Sequence, residues 1–440
     1  MSGARNMTIG SIPHHLLSYC VPAIFGDLFQ VTYNTVDAAI VGRFAGETAL
    51  AAVSGAAPLM SIALFFIIGL GIGTSVLMSE FYGAGDEKSL RREFSTATIV
   101  AFLFSLVISF LLFLFSATLL RLCRIPDIVL LQTTSYLRIV SLGMVITSLY
   151  NMLAAASRSV GDARTPLMCL IVGSLTNVIL DLFFVAVLKL SAAGAAVATV
   201  LSQGVSLIFA FLLLKKRAGF LFSRADFGID RALLSRTLSF SYPGALQQAG
   251  IYVGKLMVQI MVNPLGVSAV AAFGAVNRVD DYALIPERDI SNGETVLVAQ
   301  NHGAGNHARM SMGLRWTLLF EIVYGLVVTL AIYCGAEPLM RLFVGESEPE
   351  VLRLGTAYLK LMGVFYILPG VTNGMQGYLR ALGKMRLTML VTYAQMFTRA
   401  VFTYLLIGHM GLTAVPLACV AGWVLMLVWE GALLFGALRG

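Results

Sequence analysis

The sequence predicts an all-α integral membrane protein whose twelve transmembrane helices form two parallel six-helix repeats. Three observations carry that prediction. Apolar residues make up 58% of the 440 positions and charged residues only 12%, about half the charged share of an ordinary soluble domain. Apolar runs long enough to cross a bilayer recur from end to end, and the chain repeats itself at an offset of about 220 residues. A cytosolic enzyme, a secreted disulfide scaffold and a disordered regulator are excluded by the same composition. The net charge of +7 comes from scattered cations rather than a basic patch, so no nucleic-acid partner is expected. The five cysteines stand apart, without CxxC or nearby histidine, and read as small core residues. The first residues lack the short apolar stretch and cleavage site of a signal peptide, so the first apolar run is expected to be kept.

A spanning helix needs about 20 apolar residues, and charges, Gly/Pro clusters and turn residues cut the chain into twelve such runs. They fall at 16–42, 49–78, 94–119, 129–157, 166–188, 192–214, 235–262, 268–299, 312–336, 350–378, 387–407 and 412–437. The organisation expected is an N-lobe of six spans over 1–214, a cytoplasmic linker over 215–234 and a C-lobe of six spans over 235–440. With the N-terminus inside, 18 of the 30 Lys and Arg, Arg224 and Arg439 among them, fall in cytoplasmic segments and 6 on the other side. Cytoplasmic loops retain cations, so both termini are placed in the cytoplasm and the chain in the plasma (inner) membrane.

Motifs mark the repeat. Leu17-Ser-Tyr-Cys-Val-Pro22 matches Leu238-Ser-Phe-Ser-Tyr-Pro243, Phe81-Tyr-Gly-Ala-Gly-Asp86 matches Asn301-His-Gly-Ala-Gly-Asn306, and Arg158-Ser-Val-Gly-Asp-Ala-Arg164 matches Arg380-Ala-Leu-Gly-Lys-Met-Arg386. Six spans is an even number, so the copies share one orientation. Parallel repeats of this kind are typical of secondary transporters. No GxxxxGK[ST] loop, HExxH or GxSxG is present, so the chain shows no ATP-hydrolysing or other enzymatic chemistry. Uphill movement would need an ion gradient.

An acid at the centre of a spanning helix costs about 2.5–3.5 kcal/mol even on the lenient scale, which makes each one a functional candidate. Asp37 lies in the first span a turn after Tyr33, and Asp181 in the fifth a turn after Asn177. At 1.5 Å per residue, Asp37, Asp181 and Thr199 of the sixth span lie about 8, 12 and 11 Å from the outer ends of their helices. They converge on one level. Carboxylate, amide and hydroxyl oxygens suit a small cation, and paired carboxylates suit a proton, so Na+ or H+ is the expected coupling ion; the alternative is a purely structural set of hydrogen bonds. No other cofactor is expected.

The second copy is different. Its first span has Gln247, Gln248, Lys255 and Gln259 but no acid, and its second carries Arg278, Asp280, Asp281, Glu287, Arg288, Asp289 and Glu294. Asp280, Glu287 and Glu294, seven apart, share one side of a helix that Pro286 is able to kink. Asp280, Glu287, Asp289 and Glu294, with Gln248 and Lys255, are expected either to line a cavity that attracts cationic substrate or to form a salt-bridge network with Arg278, Arg288 or Lys255.

Val36-Asp37, Val41-Gly42-Arg43, Ala51-Ala52-Val53-Ser54 and the paired Gly83-Ala84-Gly85 and Gly303-Ala304-Gly305, set on twelve spans in two copies, resemble the MATE (multidrug and toxic compound extrusion) transporters over essentially the whole chain. The resemblance implies a V-shaped two-lobe antiporter exporting amphipathic, cationic compounds in exchange for Na+ or H+. Asp37, Tyr33, Asn177, Asp181 and Thr199 match the N-lobe positions of the DinF-like branch, with Asn151 matching its helix-four asparagine although it lies nearer the cytoplasm. The helix-seven glutamate of the NorM-like branch is absent here, and the charged eighth span, Glu294 above all, departs from the DinF-like pattern. A monomer is expected. The competing functions are a lipid-linked precursor flippase, for which Lys255, Lys360 and Arg399 speak, and a non-transporting membrane scaffold.

Overall fold

The computed structural model describes residues 5–223, 225–344 and 348–439, and their regular structure is entirely helical. Arg224 and the side chain of Arg439 lie outside the described residues. The first six rods are α1 (Ile12–Ala45), α2 (Glu47–Gly83), α3 (Glu87–Leu122), α4 (Asp127–Ser159), α5 (Arg164–Asp181), which runs on as a π-helical turn over Leu182–Val187, and α6 (Ser191–Arg217). The other six are α7 (Arg231–Val262), α8 (Val267–Ala283) with α9 (Ile285–Gly303), α10 (His307–Val344), α11 (Pro349–Gly363) with α12 (Ile367–Ala381), α13 (Met385–Met410) and α14 (Ala414–Arg439). Twelve rods thus stand where twelve spans were expected, most of them longer than the apolar run by a turn or more.

Seven stretches among the described residues are long and apolar enough to cross a membrane, and the α11–α12 pair makes an eighth. The rods outside that set, α1, α7 and α8–α9, are those that carry most of the intramembrane polar side chains. The packing follows the logic of a lipid solvent, in which small residues let helices approach and large apolar ones face outward. On α3, Leu103, Val107, Phe110 and Leu114 form one exposed face, while Ser105, Ser109 and Ser116 are buried.

The duplication is visible in the turns. After α2, the amides of Ala84, Gly85 and Asp86 return to the carbonyls of Glu80, Tyr82 and Phe81; after α9, those of Ala304, Gly305 and Asn306 return to Gln300, His302 and Asn301. The next helix is capped alike in both copies, by Asp86 Oδ1 accepting from Ser89 N (3.0 Å) and by Asn306 Oδ1 accepting from Arg309 N (3.2 Å). The Ser89 hydroxyl, and then its backbone N–H, hold the Asp86 carboxyl below the usual carboxylate range. Gly85 and Gly305, at φ 70° and 68°, take the left-handed conformation that only glycine enters cheaply.

Two spans depart from the expectation of continuous helices. The eighth is broken at Leu284, because Pro286 has no N–H and can only sit in the first turn of a new helix; it starts α9 there. The tenth is broken at 364–366 and bends by 51°. Their counterparts α2 and α4 are unbroken.

The chain forms two compact units, one of Val21–Ala245 with the residues up to Met7, the other of Thr8–Cys20 with Leu246 onward. This division differs from one at the 215–234 linker. It falls inside α1 and α7, within a few residues of Pro22 and Pro243 of the repeated Leu-Ser motif. In the first unit a Cβ on Gly73 would lie 2.3 Å from Ser241 Oγ, and in the second a Cβ on Gly293 would lie 2.6 Å from Cys20 Sγ. The linker itself is tied to α3, with Arg91 Nε on Asp226 at 2.8 Å and Gly228 N on Ser95 Oγ at 2.9 Å.

Close approach sets the first testable outcome. A Cβ on Gly143 of α4 would stand 2.5 Å from Val200 Cγ2 of α6, whereas one on Gly204 meets nothing within 4 Å. Valine in a helix has one favoured rotamer, so it cannot yield. Gly143→Leu should lower the thermal midpoint of the purified protein, by an overpacking cost of about 1–3 kcal/mol, and Gly204→Leu should leave it unchanged.

Candidate functional site

Three helices of the first unit bring their polar side chains together. In the amide orientation that satisfies both of its ends, Asn177 donates to Tyr33 Oη (2.6 Å) and to Asp181 Oδ2 (2.7 Å), and its oxygen accepts from the backbone N–H of Thr199 (3.2 Å). One side chain of α5 therefore joins α1, α5 and α6. Asn177 and Asp181 are buried, at 1% and 0% exposure, while Asp37, Tyr33 and Thr199 are half-buried. The Asp37 and Asp181 carboxyls are close enough to hydrogen-bond each other. Each keeps a buried Oδ1 with no partner.

Local structure places Asp181. It is the last residue of α5 before the π-helical turn, and π insertions of this kind gather at functional positions because they rotate the following side chains by one extra residue. At the α1/α2 and α5/α6 end of the unit, Val41, Ala49, Ala52, Val185, Ala192 and Ala195 form a buried apolar cluster. Tyr136 packs against that plug. The face of α1 with Thr32, Asn34 and Thr35 is exposed, a polar surface unlike the leucine and phenylalanine face of α3.

The predicted residues separate into two groups. Tyr33, Asp37, Asn177, Asp181 and Thr199 come together. The Thr199 hydroxyl, however, donates to Ala195 O at 2.9 Å on its own helix, so it joins the group through its backbone. Asn151 donates to Thr147 O (2.8 Å), also on its own helix, and no bond ties it to the acids. Sequence reasoning missed Tyr136 of α4, which interacts electrostatically with Asp37 and Asp181 and packs on the apolar plug. The depth argument would have found it: nine residues into α4 is about 13 Å, the level of the others.

In the second unit the eighth-span acids lie mostly inside the protein. Glu287, Asp289 and Glu294 are 0%, 4% and 0% exposed. Asp280 is half-buried and accepts from Tyr366 Oη at the α11–α12 break. Lys255 pairs with Asp281 at 3.3 Å, both of them exposed, and acts electrostatically on Asp280 at one end of the seven-residue stripe, as does Arg399. Gln248 is half-buried, while its neighbour Gln247 is buried and donates to Gln376 Oε1 (3.0 Å) and Thr392 Oγ1 (2.7 Å), joining α7, α12 and α13. Glu321 of α10 and Glu430 of α14, both 0% exposed, were missed. The rule that flagged Asp37, an acid within an apolar span, applies to both without change.

An all-helical bundle of twelve rods in two matching copies, most of them long and apolar enough to cross a membrane, is the architecture of a membrane transporter. The chain belongs to the MatE family: the family model matches residues 22–183 and 243–405, once in each copy. It is 28% identical over 384 residues to the probable multidrug resistance protein YpnP of Bacillus subtilis (strain 168), covering 87% of this chain and 85% of that one. It is also 28% identical over 371 residues to a protein named FAD transporter from Shewanella oneidensis, covering 83% and 80%. Among solved structures, a MATE transporter in a bent conformation superposes with a TM-score of 0.92 at 21% identity, over 100% of this chain and 98% of that one.

The two asparagines give a contrast in stability. Asn177→Ala strips Asp181 of its donor inside the protein and should destabilise by about 1–3 kcal/mol, read as a lower thermal midpoint in detergent. Asn151→Ala, which removes only a bond within one helix, should change it by less than half as much.

Proposed function

We propose that the protein is a proton-coupled exporter of amphipathic, cationic compounds, working by alternating access, with the coupling site at Asp37 and Asp181. The observation that carries this reading is the facing pair of carboxyls, each with a buried oxygen that nothing bonds. Two ionised carboxylates have no proton to give each other, so the arrangement calls for a cation between them. A proton suits it better than Na+. Hard cations are held by several oxygens, but here Asn177 turns its N–H toward Asp181 and the Thr199 hydroxyl donates to the backbone. Two free oxygens remain, enough for one shared proton.

The cycle follows from linkage. A proton entering the pair removes a buried charge and favours one conformation; substrate favours the other; exchange requires that difference in preference, since a ligand binding both states equally shifts nothing. Tyr33 and Asn177 orient the Asp181 carboxyl, and the plug of Val41, Ala52 and Val185 prevents the proton from leaking past it. The exposed Thr32, Asn34 and Thr35 give substrate a polar wall along α1. An inward proton gradient would by exchange carry substrate outward, and the cation bias supports placing both termini on the cytoplasmic side.

Reconstituted flux of a fluorescent cation tests the proposal. An imposed pH gradient should drive it and an imposed Na+ gradient should not. Asp37→Asn should reduce gradient-driven flux by roughly 5–150-fold, the range of ordinary coupling energies of about 1–3 kcal/mol. Flux that survives Asp37→Asn, or that ignores both gradients, overturns the reading in favour of a flippase or a scaffold. Uptake of a flavin dinucleotide in place of the cation would redirect the substrate assignment toward the Shewanella relative and leave the coupling site standing.

A further inference from the structure

The second unit has no counterpart of the Asp37–Asp181 pair, yet it buries more acid than the first. Glu287 and Glu294 of α9 and Glu321 of α10 are each 0% exposed, and all six of their carboxyl oxygens lack a hydrogen-bond partner. An ionised carboxylate in such surroundings is among the costliest groups a protein can hold.

The three groups are neighbours because α12 is bare where it meets them. A Cβ on Gly370 would stand 3.0 Å from Glu321 Oε2 and 3.5 Å from Glu287 Cδ, and one on Gly377 would stand 2.8 Å from Glu294 Oε2. Gly374, between them on the same face, leaves room for Thr317 and Glu321 in the same way. Thr317 is one turn before Glu321 on α10, fully buried, and its hydroxyl has no partner either.

Charge does not balance without bound cations. Arg380 of α12 interacts with Glu294, and also with Glu430 of α14, while one of its terminal amines donates to Ser291 Oγ at 2.7 Å. Glu287 has Asp280 of α8 as its charged neighbour, and Glu321 has Glu287 and Glu294. The remaining titratable groups that face the three are Tyr324 of α10, Tyr366 before α12, and Cys20 of α1; Tyr378 lies by Glu294. None of these is a cation. Protons on the acids themselves remove the unbalanced charge without any further group.

We propose that Glu287, Glu294 and Glu321 form a second proton-binding site, separate from Asp37 and Asp181, which holds at least two protons in this conformation. One arginine can balance one of the three carboxylates, and the other two are neutral acids. Glu287 and Glu321, both beside Gly370, act on each other electrostatically, so a proton on one lowers the cost of a charge on the other. A conformation that opened α12 away from α9 and α10 would admit water, and the site would then release its protons.

Infrared spectroscopy of the purified protein in lipid nanodiscs reads this without any transport, so the result stands apart from the export reading. At neutral pH the wild type should show a carboxylic-acid C=O band that shifts in D2O. Glu287→Gln and Glu321→Gln should each remove part of it, and Asp37→Asn should leave that part in place. Glutamine copies the shape of a neutral glutamic acid, so the thermal midpoints of these variants should match the wild type at neutral pH. Loss of ionised-carboxylate absorbance instead, an acid band untouched by the substitutions, or a midpoint that falls because a charge pair has been broken would each overturn the proposal.

Discussion

A carboxyl group enclosed by helices that are themselves surrounded by hydrocarbon has three ways to persist: a donor, a counter-charge or a proton. Water is not among them. Serines and threonines in the same position satisfy themselves on the carbonyl one turn back, as Ser79, Thr133 and Thr199 do. A carboxylate cannot, because helix carbonyls offer it no hydrogen. The acids therefore dictate which helices must meet. Asp181 recruits Asn177, and through it Tyr33 and the backbone of Thr199; Asp280 takes Tyr366; Glu294 keeps Arg380 within reach.

The two copies show how a duplicated scaffold separates what is structural from what is chemical. Turns and caps are the same in both, down to which amide returns to which carbonyl after α2 and α9. Interiors are not. The first copy keeps α2 and α4 whole and places two carboxyls near one end of the unit. The second breaks the equivalent rods at Leu284 and at 364–366, and Glu287, Glu294 and Glu321 collect on the piece α9 and the unbroken α10, against a glycine face of α12. Helix ends free backbone groups and redirect side chains, so a broken rod can present polar groups at a depth where a continuous one would bury them unmet.

Much of the first site was legible because depth along a helix is a linear quantity. Counting residues from the ends of three spans put Asp37, Asp181 and Thr199 at one level, and a spacing of four put Tyr33 and Asn177 on their faces. The same count overlooked Tyr136 and Glu321, which ordinary rules would have flagged. It had no means of detecting that Asn151 bonds only to its own helix, or that Lys255 pairs with Asp281 while Arg380 of α12 is the cation near Glu294. Whether the eighth-span acids face an aqueous space or the protein interior depended on the neighbours of α9, and those are α10 and, remote in the chain, α12.

The sequence by itself determined the class of solvent, the number of rods, the duplication and the family, since each of these is written in local hydrophobicity or in motifs repeated at a fixed offset. Tertiary structure alone decided which acids are partnered. That outcome rests on contacts between helices remote in the chain and on the absence of three Cβ atoms on α12. A glycine reads in sequence as freedom or as a break; only beside Glu287, Glu294 and Glu321 does it become the room in which buried carboxyls meet.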